Sequence, residues 1–158
     1  MDILLALFCV CLLAVPESSS LSVKEDYIKK TRHTALNIAQ TTMVHIKKLK
    51  TKLPASPNID VTTPTIEGLS SIIDNLGLLE NELRSPSNEL LSQIQTDVSS
   101  LEGTVRSLAQ TMDCSIKART TVGPWDNLFP DSRLYLTLIK VQHYLEQMLL
   151  NKDKLKVC

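Results

Sequence analysis

Residues Leu91–Cys114 read LSQIQTDVSSLEGTVRSLAQTMDC, and Leu91, Ile94, Val98, Leu101, Val105, Leu108 and Met112 recur along them at steps of three and four. An α-helix turns once per 3.6 residues, so those side chains share one face and the stretch is an amphipathic helix. Beside that face run Gln93, Thr96, Ser100, Gly103, Thr104, Ser107 and Thr111, all uncharged, while the opposite flank carries Glu102, Arg106 and Asp113. Loss of charge from one stripe is what the core of a protein interface shows, the plain alternative being small polar residues that face water.

Three other stretches repeat the period. The first holds Ile28, Ala35, Ile38, Ala39, Met43, Ile46, Leu49 and Leu53, and the second Leu69, Ile72, Ile73, Leu76, Leu79 and Leu83. The last holds Leu134, Leu138, Val141, Leu145, Met148 and Leu155. Pro54, Pro57 and Pro64 break the first gap, Pro86 the second, and Gly123, Pro124 and Pro130 the third, and proline cannot continue a helix interior. Ser85 before Pro86, and Asp131, are suited to start the third and fourth helices. No sustained alternation of period two occurs, so the fold class is all-α.

Connection lengths set the topology. The short gap near Arg84–Pro86 permits only a hairpin, which makes the second and third helices antiparallel. The gaps Pro54–Thr65 and Lys117–Pro130 can each span on the order of 40 Å, enough to return along a helix of about 18 residues and roughly 27 Å. Two long crossover connections around one short turn give an up-up-down-down four-helix bundle.

At the other end of the sequence, Ile3–Val15 is an unbroken apolar run followed by Pro16, Glu17 and three serines. It falls short of the roughly 20 residues that a bilayer core requires and reads as a secretory signal peptide, residues 1–20, with a mature domain over 21–158. Its loss removes Asp2 and Glu17 and leaves a net charge of about +2, which argues against a nucleic-acid partner. Lys47, Lys48, Lys50 and Lys52 cluster locally, as suits a solvated helix end whose cations complement its dipole.

Cys9 and Cys11 leave with the signal, so Cys114 and Cys158 are the mature pair and imply one disulfide in a secreted chain. In the up-up-down-down arrangement these residues follow two helices that end at the same pole, whereas an up-down-up-down bundle would put them at opposite poles. His33, His45 and His143 lack metal-ligand spacing, and neither a Gly-rich phosphate loop nor a nucleophile elbow is present. No metal, cofactor or enzymatic activity is expected. His33 and His143 are expected to face solvent, and Trp125 to pack beneath the second crossover.

Three segments carry a family resemblance. Ile66-Glu67-Gly68-Leu69-Ser70-Ser71-Ile72-Ile73-Asp74, then Ser92-Gln93-Ile94-Gln95-Thr96-Asp97-Val98 with Leu101, Leu108 and Cys114, and finally Leu138, Val141, Leu145, Met148, Asp153 and Cys158, resemble the leptin family of long-chain four-helix cytokines in its fish branch. Lys156-Val157 stand where a glycine usually precedes the final cysteine. The Gly-Leu-Asp-Phe-Ile-Pro segment of the mammalian members is represented only by Ile59-Asp60-Val61 and Pro64.

The resemblance implies a secreted, monomeric hormone that does not insert into membranes and that binds a class I cytokine receptor, the leptin receptor, through two surfaces. The first would comprise Gln93, Thr96, Asp97, Ser100, Gly103, Thr104 and Ser107 of the third helix with His33, Asn37 and Thr41 of the first. The second would join Ser132 and Arg133 at the head of the fourth helix to Ile59, Asp60 and Val61 of the first crossover. Signalling would run through Janus kinases to energy balance and food intake. The competing reading is a secreted amphipathic-helical lipid-binding protein. Against it stand the disulfide, the absence of an internal repeat and the two long crossovers.

Overall fold

The computed structural model describes residues 18–54, 60–84, 89–119 and 130–158. They form α1 (Ser18–Lys50), α2 (Leu69–Leu83), α3 (Ser92–Thr111) and α4 (Pro130–Leu150), with short 3-10 turns at Glu89–Leu91 and Lys152–Lys156, and no strand occurs among the described residues. Ser85, Pro86 and Trp125 lie outside that set. α4 begins at Pro130, so Asp131 falls inside its first turn instead of preceding it.

Contacts along the bundle fix the directions. Lys24 and Tyr27 near the start of α1 meet Asp113 and Ser107 near the end of α3, and His45 near the end of α1 meets Asp97 near the start of α3. Lys50 at the end of α1 donates to Gln142 of α4 and lies 5.6 Å from the centre of the Tyr135 ring. Lys140 of α4 donates to both carboxylate oxygens of Glu82 near the end of α2. α1 and α2 therefore run one way and α3 and α4 the other, with 51–68 and 112–129 as the two long crossovers.

The core is the sum of the four apolar faces. Every aliphatic residue expected on the inner faces of α2 and α4 is buried, together with Leu91 to Leu108 on α3 and Ala35 to Leu49 on α1; Ile28, Ile38, Leu53 and Met112 pack against its edge. α1 outruns its partners. Residues 20–27, including Leu21 and Val23, are exposed, and burial on this helix starts near Ile28.

One pole is fastened covalently. α3 is capped by Met112, and Asp113 turns the chain with a left-handed φ of 59°, a conformation that Asp tolerates better than most residues. The Asp113 and Cys114 N–H groups then close on the carbonyls of Gln110 and Ala109, the double bond of a Schellman motif, which directs Cys114 toward the end of α4. Cys114 is bonded to Cys158, with Cα atoms 5.4 Å apart. The loop of 44 residues that this closes corresponds to roughly 4 kcal/mol of chain entropy.

The same terminal segment caps α2. The free N–H groups of Leu69 and Ser70 donate to the carbonyls of Val157 and Cys158 at 2.8 and 3.2 Å, and Ser71 Oγ accepts from the Gly68 N–H. Gly68 has extended backbone, so its glycine is needed for space and not for conformation. A Cβ there would sit 2.6 Å from the Cys158 carbonyl carbon and 2.8 Å from the Val157 oxygen. Gly68→Ala should therefore push the terminal segment off α2 and cost about 1–3 kcal/mol, whereas Gly77→Ala, with open space around it, should be neutral or stabilising; urea denaturation of the two variants checks both.

Candidate receptor-binding surfaces

The α3 stripe is laid along the side of α3 that borders α1. Gln93, Thr96, Ser100 and Gly103 are exposed, and Thr104, Ser107 and Thr111 are half-buried. The hydroxyls of Thr96, Thr104 and Thr111 donate to the carbonyls four residues back, which satisfies them within the helix. Their outward surface is correspondingly less polar than the sequence suggests.

Two stripe residues hold α1 in place. Asp97 is largely buried, pairs with His45 Nδ1 and accepts from Gln93 at 2.8 Å. The Ser107 and Tyr27 hydroxyls meet at 3.1 Å, and the Ser107 and Thr31 hydroxyls hold the exposed Tyr27 phenol below its usual pKa. Asp97 and Ser107 thus position the face, and the neighbouring exposed residues form its outer surface.

On α1, His33, Asn37 and Thr41 are all exposed and succeed one another at four-residue steps on one face. Val44 continues that face seven residues after Asn37 and is 62% exposed. It is the residue that sequence reasoning missed, and its signal is an aliphatic side chain out of phase with the buried stripe. Around Asn37 and Ser100, α1 and α3 together offer an outer surface of uncharged polar groups with Val44 as the exposed aliphatic beside them.

The second set is only partly described. Ile59 lies outside the described residues, Asp60 is exposed and Val61 half-buried, and Arg133 is half-buried in the second turn of α4; the side chain of Ser132 is outside the described set. The structure brings Val61 against α2 and α4 beside Leu78, Leu79 and Lys140.

The flank of α3 opposite the stripe differs from the expected charged surface. Glu102 is fully buried and faces α2: it accepts from Arg106 at 2.7 and 3.0 Å and, through its other oxygen, from Arg119 at 2.6 Å. Glu80 of α2, also buried, accepts from Arg84 at 2.6 Å and lies 3.9 Å from Arg119. Arg119 belongs to the second crossover, so these two carboxylates tie the start of that crossover over the α2–α3 seam. Among the described residues no three His, Cys, Asp or Glu side chains gather as a metal site, and no helix is long and apolar enough to cross a membrane.

Leptin-B of the medaka, Oryzias latipes, is 48% identical to this chain over 154 residues, and the match covers 98% of each protein. The chain belongs to the leptin family. No family model matches it. Membership makes it a hormone of the cytokine kind, secreted, and not an enzyme. The outer face of α1 and α3 is exposed, low in charge on one stripe, and braced from beneath by the His45–Asp97 and Tyr27–Ser107 contacts.

The Glu102 cluster gives a pH dependence. Burial by itself would raise the Glu102 carboxyl, but hydrogen bonds and charge from Arg119 and Arg106 outweigh it and hold the group below its ordinary 4.5. A carboxyl lowered by folding stabilises the fold above its unfolded value and loses that contribution as the pH falls through the lowered one. Acid unfolding should therefore steepen below about pH 4.5 in the wild type. Glu102→Gln should flatten that limb and cost about 2 kcal/mol at neutral pH, less than a fully enclosed pair because Arg119 is half exposed, as urea titrations across pH will show.

Proposed function

We propose that this chain activates the leptin receptor, a class I cytokine receptor, by gathering receptor chains through two surfaces on one monomer, with signalling through Janus kinases and an output in energy balance and food intake. The observation that carries this reading is the 48% identity to a leptin over 98% of the chain. The first surface is the outer face of α1 and α3, where Gln93, Thr96, Ser100, Gly103 and Thr104 lie beside His33, Asn37, Thr41 and Val44. Asp97 and Ser107 serve it from below through His45 and Tyr27. The low charge of this face favours an interface, because few ions would have to be stripped of water on docking.

The second surface is the first crossover at Ile59, Asp60 and Val61 with Ser132 and Arg133 at the head of α4. One surface on a monomer cannot bring two receptor chains together, so a second is required for signalling. The mature chain begins near Leu21 in this reading, which puts the first exposed turns of α1 at its start.

Reporter cells give the test: the mature chain should activate a leptin receptor and fail on growth-hormone receptor, and silence on both would overturn the reading. Ser100→Arg with Thr104→Arg should weaken receptor binding by more than about 2 kcal/mol, since each substitution places an unpaired charge in the contact, while circular dichroism stays unchanged. Replacing Ile59, Asp60 and Val61 together by alanine should leave affinity near normal and abolish signalling. Parallel loss of both, or unfolding of that variant, would assign the loop a structural role.

A further inference from the structure

Between Asp26 and Asp60 the chain carries seven Lys and Arg residues and no acid, and four of the seven, Lys47, Lys48, Lys50 and Lys52, stand together at the end of α1. Lys50 has a task in the fold, on Gln142 and the Tyr135 ring. Lys47, Lys48 and Lys52 are exposed, and no ion pair among the described residues includes them. The helix dipole favours cations only within the last turn, and Lys52 lies past it.

The Thr51 and Lys52 N–H groups donate to the carbonyls of Lys47 and Leu49, so the chain keeps coiling beyond α1 and Lys52 stays on the side of Lys48. There both line an open depression of about 360 Å³ between the end of α1 and the start of α3, with His45 and Gln93. Glu89 is the one carboxylate among its described lining residues, and the nearby Asp97 is already engaged by His45 and Gln93. Lys48 and Lys52 repel each other at this spacing, so a polyanion that neutralises both gains what the fold leaves uncompensated.

The surroundings select among polyanions. Ile46 and Leu49, interleaved with the lysines, are buried in the core, so a lipid surface would meet one exposed aliphatic, Val44, and no apolar face. No aromatic side chain among the described lining residues offers a platform on which a nucleotide base could stack. What remains is attraction to a row of fixed negative charges, and a dense basic run of this length suits a sulfated polysaccharide. Each ammonium is a point charge with three donors and accepts a sulfate from many directions, as a flexible polymer requires.

We infer that the lysine end of α1 is a docking site for a sulfated glycosaminoglycan, whose sulfates lie on Lys47, Lys48 and Lys52 and whose chain crosses the depression beside Glu89. The assignment concerns where the secreted chain is retained; it goes beyond receptor activation and does not rest on it.

The probe is a heparin octasaccharide, titrated calorimetrically into the disulfide-bonded secreted chain without receptor. One-to-one binding is expected, and with about three cations neutralised the logarithm of the affinity should fall against the logarithm of salt concentration with a slope of roughly −2 to −3. Lys48→Gln with Lys52→Gln should weaken binding about tenfold or more with circular dichroism unchanged, whereas Lys152→Gln with Lys154→Gln, the same loss of charge at the disulfide pole, should change it less than about twofold. Glu89→Gln should strengthen it about threefold, a gain that no loss of structure imitates, and it leaves in place the Glu89 carbonyl that accepts from Ser92. Equal losses in the two lysine pairs would reduce the effect to net charge, and an unchanged or weaker affinity in Glu89→Gln would take the depression out of it. Equal binding of a desulfated octasaccharide, or tighter binding to phosphatidylserine vesicles than to heparin, would give the patch to another partner. Each of these results would overturn the site.

Discussion

The fold depends on three chain segments meeting at one pole. The Schellman turn at Asp113 brings Cys114 to Cys158, and the residues just before that bond lie across the N-terminus of α2, where the Leu69 and Ser70 N–H groups need acceptors. One short segment thus joins the end of α3, the end of α4 and the start of α2. Gly68 lets the backbones come close enough for this, and a side chain at that position has no room. The arrangement is only possible if α3 and α4 run parallel, and for that both long connections must cross the length of the bundle.

With the helices so ordered, α1 packs against α3, and the contact between them is apolar at its centre and polar at its outer edge. His45 with Asp97, Tyr27 with Ser107 and Lys24 with Asp113 form a ladder along this edge. The exposed Lys24–Asp113 pair contributes little stability by itself, and with the hydroxyl contact and the more enclosed His45–Asp97 pair it is best understood as setting the rotation of α1 against α3. That rotation decides whether Asn37, Thr41 and Val44 stand level with Ser100 and Thr104. The other side of α3 is handled differently. There Glu102 and Glu80 are taken inside and matched by arginines, one of which arrives from the crossover.

How much of this the sequence discloses follows from the range of each interaction. Apolar residues at three- and four-residue steps are a local signal, and they place nearly the whole core as well as the breaks between helices. The disulfide and the topology follow from connection lengths and from only two cysteines lying outside the expected signal segment. Glu102 escapes such reasoning. Its charge places it on the surface by pattern, and what permits its burial is Arg119, 17 residues away in a crossover with no period. Asp97 is another case. It is a polar residue of the stripe whose partner, His45, is 52 positions distant, so its role as a brace shows only once α1 and α3 are side by side. The exposed stripe is legible; which of its members point outward and which lean on α1 is not. Tyr144, out of the simplest heptad list for α4, is nevertheless buried, because an aromatic ring can fill the space under the crossover even where its hydroxyl finds no partner.

The two ends of the bundle are held by different kinds of force. At one, a covalent bond and two backbone hydrogen bonds join three segments. At the other, α1 ends among lysines, and Lys50 reaches α4 only through a hydrogen bond and a ring contact. Opening of a native protein begins where the fewest bonds must break, so fluctuations of α2, α3 and α4 will start at the lysine end and fade toward the disulfide, while the exposed first turns of α1 open independently of both. Amide protons will record this as a gradient of exchange along the helix axes, slowest near Leu69, Leu108 and Leu155. The three helices joined there are therefore mechanically polar: an observer pulling or heating the molecule would see one end of them loosen while the other still held its shape.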